Sequence, residues 1–303
     1  MYRLRRLYFS LSLALLLITL LISGGGCTIH KDANIQIILL TDYGTDSYWV
    51  PQLKGIIYRQ FPGATVIDAT HDIPAFDVDT GAFILQIAAR EFPEEVAFVA
   101  IVGSVDSSMG RFLVLTTTRN QIFLVPDNGL LTHVIRDAEV KTLYQISNDS
   151  LFGRPVNELF SSEILGKAAG LIASGHRPEE FGPKVADPMT LDVQEASILS
   201  DKLTGAIVNV DKFGNCVTNI PEEMTSHLKL KIGDSVLIRT AEGNISANFG
   251  SRYKDVPVGR EVVFTNRLNL VELAINMGNF AKTHNLKTGA KIEITIKICH
   301  VYY

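Results

Sequence analysis

The stretch Ile35-Gln36-Ile37-Ile38-Leu39-Leu40-Thr41-Asp42-Tyr43-Gly44 decides the fold. A short apolar run up to Thr41 that stops at Asp-Tyr-Gly suits a strand buried on both faces and ended by a turn. Working outward, the spacing predicts a helix from about Asp46 to Gln60, a strand over Thr65–Ala69, a helix over Val78–Glu91 and a strand over Val96–Val102. Phe112–Thr117 and Gln121–Val125 read as a strand pair, and Glu163–Ser174 as a helix. Strands alternating with helices imply an α/β layer with a largely parallel central sheet.

Pro178, Pro183 and Pro188 interrupt both periods over Arg177–Asp192, so the domain linker is expected at about 184–200. Beyond it lie short strands: Leu203–Val210, Cys216–Ile220, Ser235–Thr240, Asn244–Asn248, Glu261–Thr265, Leu270–Leu273 and Lys291–Lys297. Gly and Asn turns separate them, the pattern of a small β-barrel or sandwich. The expected organisation is an N-terminal α/β domain over residues 33–185 and a C-terminal β-barrel domain over 200–303.

The chain has 303 residues, 47% of them apolar, with 28 basic and 32 acidic side chains. That is a globular composition of about two domains. Arg3, Arg5 and Arg6 precede an uncharged run from Leu7 to Ile22, then Ser23-Gly24-Gly25-Gly26-Cys27. Basic, then apolar, then small is the order of a secretory signal over residues 1–26, with a short membrane anchor as the alternative. Cys27 resembles a bacterial lipoprotein processing site, although Gly24 stands where that pattern usually has Leu. The folded part is therefore expected outside the cytoplasm, exported or held at a membrane by a Cys27 lipid or by the apolar segment. Removing residues 1–26 leaves 25 basic against 32 acidic side chains. A nucleic-acid partner is disfavoured by that balance.

In open α/β sheets ligands collect beyond the carboxyl ends of the strands, which points to Asp42–Asp46, Gly103–Arg111 and Pro126–Gly129. A carboxylate at Asp42 suits a vicinal diol such as a ribose, and a helix N-cap equally well. Asp127-Asn128-Gly129 reads as a turn with an Asx cap, and Asp211–Asn215 as a hairpin loop. Arg267 ends a strand, where a solvated side chain is the default. The seven histidines are scattered without metal-site spacing, so no metal is expected. Cys216 and Cys299 read as ordinary buried thiols. Neither a Walker loop nor the dinucleotide glycine fingerprint occurs, and there is no Gly-x-Ser-x-Gly elbow.

Several ordered blocks carry a resemblance. They are Thr41-Asp42-Tyr43-Gly44, Lys54-Gly55, Val66-Ile67-Asp68-Ala69-Thr70-His71-Asp72-Ile73, Gly81-Ala82-Phe83 and Val125–Leu130. In the second half they are Asp211-Lys212-Phe213-Gly214-Asn215, Thr218-Asn219-Ile220 and Glu272–Gly278. From about Ile35 to Ile296 the chain resembles the S-adenosylmethionine hydroxide adenosyltransferases, relatives of the fluorinase and chlorinase.

The resemblance implies a homotrimer, with the ligand between one subunit's first domain and its neighbour's second. It implies S-adenosylmethionine as substrate or ligand and no separate cofactor. Asp42 would hold the ribose diol, and Phe76 would pack on the sugar. Asp211, Phe213 and Asn215 would grip the methionine end and stack near the adenine, and Arg267 would meet the carboxylate.

The catalytic end departs from the pattern. The hydrolases position water with an Asp, an Arg and a His, and a gapless placement puts Gly103, Gly110 and Phe160 there. Ser161 matches a serine lining the halide pocket of the halide-using relatives. Asp106, however, falls where those relatives carry a small neutral hydroxyl residue. A carboxylate beside a desolvated halide is repulsive by several kcal/mol at low dielectric. Asp106 and Arg111 are the remaining candidates for activating water. The expectation is therefore conversion of S-adenosylmethionine and water to adenosine and methionine, weakened by the lost triad. The alternative is an exported lipoprotein that binds an adenosine-like ligand without chemistry.

Overall fold

The computed structural model describes residues 35–103, 106, 108 and 110–297. The expected signal segment, Cys27 and Cys299 lie outside them. Among the described residues no helix is long and apolar enough to cross a membrane.

The first sheet contains β1 (Gln36–Thr41), β2 (Thr65–Thr70), β3 (Val96–Ile101), β4 (Phe112–Thr117), β5 (Ile122–Pro126) and β6 (Val140–Gln145). Their order is β2-β1-β3-β5-β4-β6. β1 pairs in parallel with β2 and β3, and β3 with β5, whereas β4 runs antiparallel to β5 and β6. Helices α1 (Trp49–Gln60), α2 (Val78–Glu91), α3 (Thr132–Asp137), α4 (Asp149–Phe152) and α5 (Ser161–Ala173) complete this half.

β1 is apolar throughout its centre because both its faces are covered. Ile37 and Leu39 pack with Leu53 and Ile57 of α1 and with Ile164 and Leu165 of α5. Ile38 and Leu40 point the other way, to Leu85 and Ala88 of α2 and Val134 of α3. Each such fully buried Leu or Ile contributes about 1.5–3 kcal/mol of transfer free energy. The period of two thus assigns alternate residues of one strand to two cores.

The second half contains β7 (Ser197–Leu199), β8 (Lys202–Val210), β9 (Cys216–Pro221), β10 (Ser235–Thr240), β11 (Gly243–Phe249), β12 (Glu261–Thr265), β13 (Leu270–Ile275) and β14 (Lys291–Ile296). Two short helices, α6 (Glu222–Thr225) and α7 (Phe280–Thr283), interrupt them. The order β14-β10-β11-β12-β13-β9-β8, with β14 pairing back onto β8, closes a seven-stranded barrel. Val236 and Ile238, Ile245 and Ala247, and Ile292 and Ile294 alternate into its core. Closure removes the sheet edges.

The strands and long helices expected from the sequence are present, with small differences at their ends. α1 starts at Trp49 rather than Asp46, because the Ser47 hydroxyl accepts the Trp49 amide at 3.2 Å and ends the turn there. β6 has no counterpart in the sequence reading: its first half is exposed and only Leu143 and Tyr144 are buried, so it lacks a full apolar run.

The segment expected as a linker contains β7 and is fastened to the first half. Val185 N–H donates to Leu143 O at 3.0 Å, and Leu191 N–H to Thr132 Oγ1 at 2.9 Å.

Candidate active site

The chain passes from β1 to β2 on one side and then to β3 on the other, so the strand order reverses at β1. That is the place where an open sheet leaves a crevice at its strand ends. Asp42 stands there, immediately after β1. Its Oδ2 accepts the backbone N–H of Phe76 at 2.9 Å and of Gly103 at 3.0 Å, tying the loops that follow β2 and β3 to the end of β1. Asp42 does not cap α1, which begins seven residues later with Tyr48 at its N-cap position and no side-chain cap bond.

Phe76 is held at φ 64°, a left-handed conformation that a bulky residue seldom adopts, and its ring is 69% exposed. Such strain persists only where neighbouring bonds over-determine it, which the Asp42 carboxylate does here. Thr41 and His71 brace the same loop from below. Thr41 Oγ1 and His71 Nδ1 are 2.8 Å apart and buried, and His71 Nε2 lies 3.1 Å from Asp68 Oδ1. Lys54 Nζ reaches Asp68 at 2.6 Å. The landmark residues Lys54, Asp68 and His71 therefore act as structural supports of the β2 loop.

Gly103 sits at φ +66°, and a Cβ there would meet Val78 Cγ2 at 3.1 Å. Gly110 is exposed in the same loop. Phe160 precedes α5, and its backbone N–H is held by Glu163 Oε2 at 3.0 Å. A lone β-bridge pairs Asp106 with Phe160, which brings the candidate acid to that end of the crevice. The Ser108 hydroxyl and backbone N–H both bond Asp106 and hold its carboxyl below the usual range.

Arg111 is committed to other partners. Its Nε bonds Asp127 Oδ2, and its Nη2 meets Asp187 Oδ1 at 3.2 Å. Those bonds raise its pKa, the Asp127 hydrogen bond foremost. No described contact joins Arg111 to Asp106. Asp127 is likewise more than the local Asx cap expected: its buried carboxylate takes Arg111 on one oxygen and Met189 N–H on the other at 2.7 Å. A buried carboxylate needs a charged partner, and Arg111 supplies it.

Ser161, the first residue of α5, is fully buried. Phe160, next to it in the chain, belongs to an aromatic set absent from the sequence reading. Trp49 lies 6.5 Å from Phe160, 5.8 Å from Tyr43 and 4.9 Å from Tyr48 between ring centroids. Three aromatics within seven residues of a strand-end acid were the available signal.

In the barrel, Asp211 Oδ1 accepts the N–H groups of Phe213 and Asn215, both at 2.9 Å, and Oδ2 accepts Asn215 Nδ2 at 2.9 Å. The loop is rigid by its own bonds, with Phe213 exposed and Asn215 buried. Behind it, Tyr253 Oη donates to the buried Glu272 at 2.7 Å, and Asn266 Nδ2 donates to the other oxygen at 3.0 Å. Arg267 is exposed in the turn after β12. Among the described residues no hydrogen bond or ion pair joins the Asp211 loop to the Asp42 loop.

Cys216 is buried as expected, and burial, then Asp211 and Glu272, pushes its thiol up to about 12. No group of three or more His, Cys, Asp or Glu side chains among the described residues could hold a metal.

An α/β layer whose strand order reverses at β1, joined to a closed seven-stranded barrel, defines a two-part mixed α/β protein. A family model for the SAM hydroxide adenosyltransferase N-terminal domain matches residues 37–182, and one for the C-terminal domain matches 205–293. The chain belongs to the SAM hydroxide adenosyltransferase family, and its function is of that kind.

It is 26% identical over 284 residues to an (R)-S-adenosyl-L-methionine hydrolase of Methanocaldococcus jannaschii, covering 89% of this chain and 99% of the relative. It is 25% identical over 295 residues to a fluorinase of Actinoplanes sp., covering 87% and 98%. An uncharacterised conserved protein of Thermotoga maritima superposes with a TM-score of 0.79 at 29% identity, covering 86% of this chain and all of that one.

Proposed function

We propose that this protein binds S-adenosylmethionine at the Asp42 crevice and hydrolyses it slowly to adenosine and methionine. In that reaction a water oxygen bonds to the ribose C5′ as the C5′–S bond breaks. The bonding pair goes to sulfur, leaving neutral methionine thioether, and the water proton goes to solvent.

The observation that carries the reading is the pair of backbone bonds on Asp42 Oδ2. They preorganise the sugar end of the site, whereas the positions that would orient water hold Gly103, Gly110 and Phe160. A positioned acid–base group contributes about 10²–10⁴-fold to such a step. Slow turnover on an intact binding frame follows. Asp106 is a poor base, because its carboxyl is held below the usual range. Arg111, engaged with Asp127 and Asp187, serves the frame better than the chemistry.

The exposed rings of Phe76 and Phe213 favour a site completed between copies of the chain in a homotrimer, with Asp211, Phe213, Asn215 and Arg267 supplied by the neighbour. Export through residues 1–26 accompanies the proposal. Calorimetry with adenosine and S-adenosylmethionine, followed by overnight product chromatography, tests it. Heat with adenosine and methionine as products supports the reading. Heat without products removes the hydrolysis and leaves a binding protein.

A further inference from the structure

The position that would hold the water-orienting histidine carries instead a phenylalanine that belongs to an aromatic group. Phe160, Trp49, Tyr48 and Tyr43 form a continuous set with ring centroids 4.9–6.5 Å apart. Tyr48 is 69% and Phe160 46% exposed, while Tyr43 anchors the set in the core beside Asp42. The backbone bridge from Phe160 sets Asp106 beside the group, with its carboxylate exposed and bonded by the Ser108 hydroxyl and N–H. Ring faces and a carboxylate share one sign of field: both attract a cation and both repel an anion.

Resting on the reading of this crevice as an adenosyl site, we infer that the Trp49–Phe160 wall with Asp106 is a sulfonium-selecting surface, which distinguishes S-adenosylmethionine from its uncharged thioether. The wall is hostile to a halide and to hydroxide. It also bears on rate. The sulfonium loses its charge as the C5′–S bond breaks, so an attraction to that charge is stronger in the ground state than in the transition state. Such an interaction favours retention of the ligand over turnover.

Trp49 is the sole tryptophan in the chain, so its emission reports on this wall alone. The test is calorimetry and Trp49 fluorescence with S-adenosylmethionine, S-adenosylhomocysteine and adenosine, on wild type, Trp49→Leu and Trp49→Phe. A cation–π preference corresponds to about a 2- to 30-fold affinity ratio of sulfonium over thioether. The wild type is expected to show that ratio, with a change in Trp49 emission. Trp49→Leu is expected to bring the ratio close to one by weakening only the sulfonium, and Trp49→Phe to keep most of it.

Equal affinities in the wild type, or a ratio unmoved in Trp49→Leu, would overturn the inference while leaving the adenosyl site standing. No binding of any of the three compounds would overturn the adenosyl reading and this inference together. Where Trp49→Leu fails to fold, a wild-type ratio near one, or Trp49 emission unmoved by S-adenosylmethionine, still overturns the inference.

Discussion

The backbone N–H of Gly103 donates to Asp42 Oδ2 at 3.0 Å, across the point where the strand order reverses. The same oxygen takes the Phe76 N–H. One carboxylate therefore sets the shape of two loops. Asp42→Ala leaves two backbone donors without their acceptor, at about 1–3 kcal/mol. Urea unfolding should show that loss, and calorimetry should show adenosine affinity reduced at least tenfold. Unchanged affinity would remove Asp42 from the site.

Gly103→Asp puts an acid at the position proposed above for the missing water-orienting acid, yet the backbone resists it. A left-handed φ costs an ordinary residue about 1–2 kcal/mol, and the new Cβ presses on Val78. The variant should melt several degrees lower and release no more adenosine than wild type. A gain in product would show that the missing acid alone limits the chemistry.

Arg111→Gln strips the buried Asp127 of its charged partner and loosens the 182–196 segment at Asp187. Breaking such a pair costs about 3 kcal/mol. Thermal unfolding should record that loss, with the acid side of any pH–rate profile unmoved. A profile that shifts while stability holds would return Arg111 to a role in the reaction.

Cys216 lies in the barrel core with its thiol raised to about 12, burial the chief cause. At pH 8 it stays a neutral thiol and so a poor nucleophile. Peptide mapping after iodoacetamide should find Cys216 unlabelled in the native protein and labelled in 6 M guanidinium (about the strength that unfolds most domains). Native labelling at pH 8 would contradict the burial.

Gly214 sits at φ +85°, and a Cβ there would collide with the Asn279 side chain. Gly214→Ala must displace the Asn279 side chain, whose Oδ1 accepts the Lys282 N–H at the start of α7. Overpacking of this kind costs about 1–3 kcal/mol. The variant should lose stability in denaturant unfolding, and a neutral result would mean the loop is slack.

The wholly apolar run of β1 and the turn residues after it made the layer legible, because a strand covered on both faces has no polar side to show. The barrel was legible from its series of short strands separated by Gly and Asn turns. β6 was not, since half of it faces solvent and its burial comes from later chain. The partners of Asp42 and Asp127 were also hidden: Phe76 is 34 residues from Asp42, and Met189 is 62 from Asp127. Composition and local spacing carry no trace of such distant bonds. The aromatic wall was hidden for the same reason, because Phe160 reaches Trp49 only once α5 packs on α1.

The central claim, a preserved adenosyl site with its water-orienting groups lost, is tested most directly by single-turnover hydrolysis of S-adenosylmethionine with protein in excess. An ordinary enzyme turns over at about 10 s⁻¹. Loss of even one acid–base group at about 10²–10⁴ each predicts saturable binding with adenosine release below about 0.1 s⁻¹. Release at an ordinary enzyme's rate would contradict the account, as would failure of the protein to bind the substrate at all.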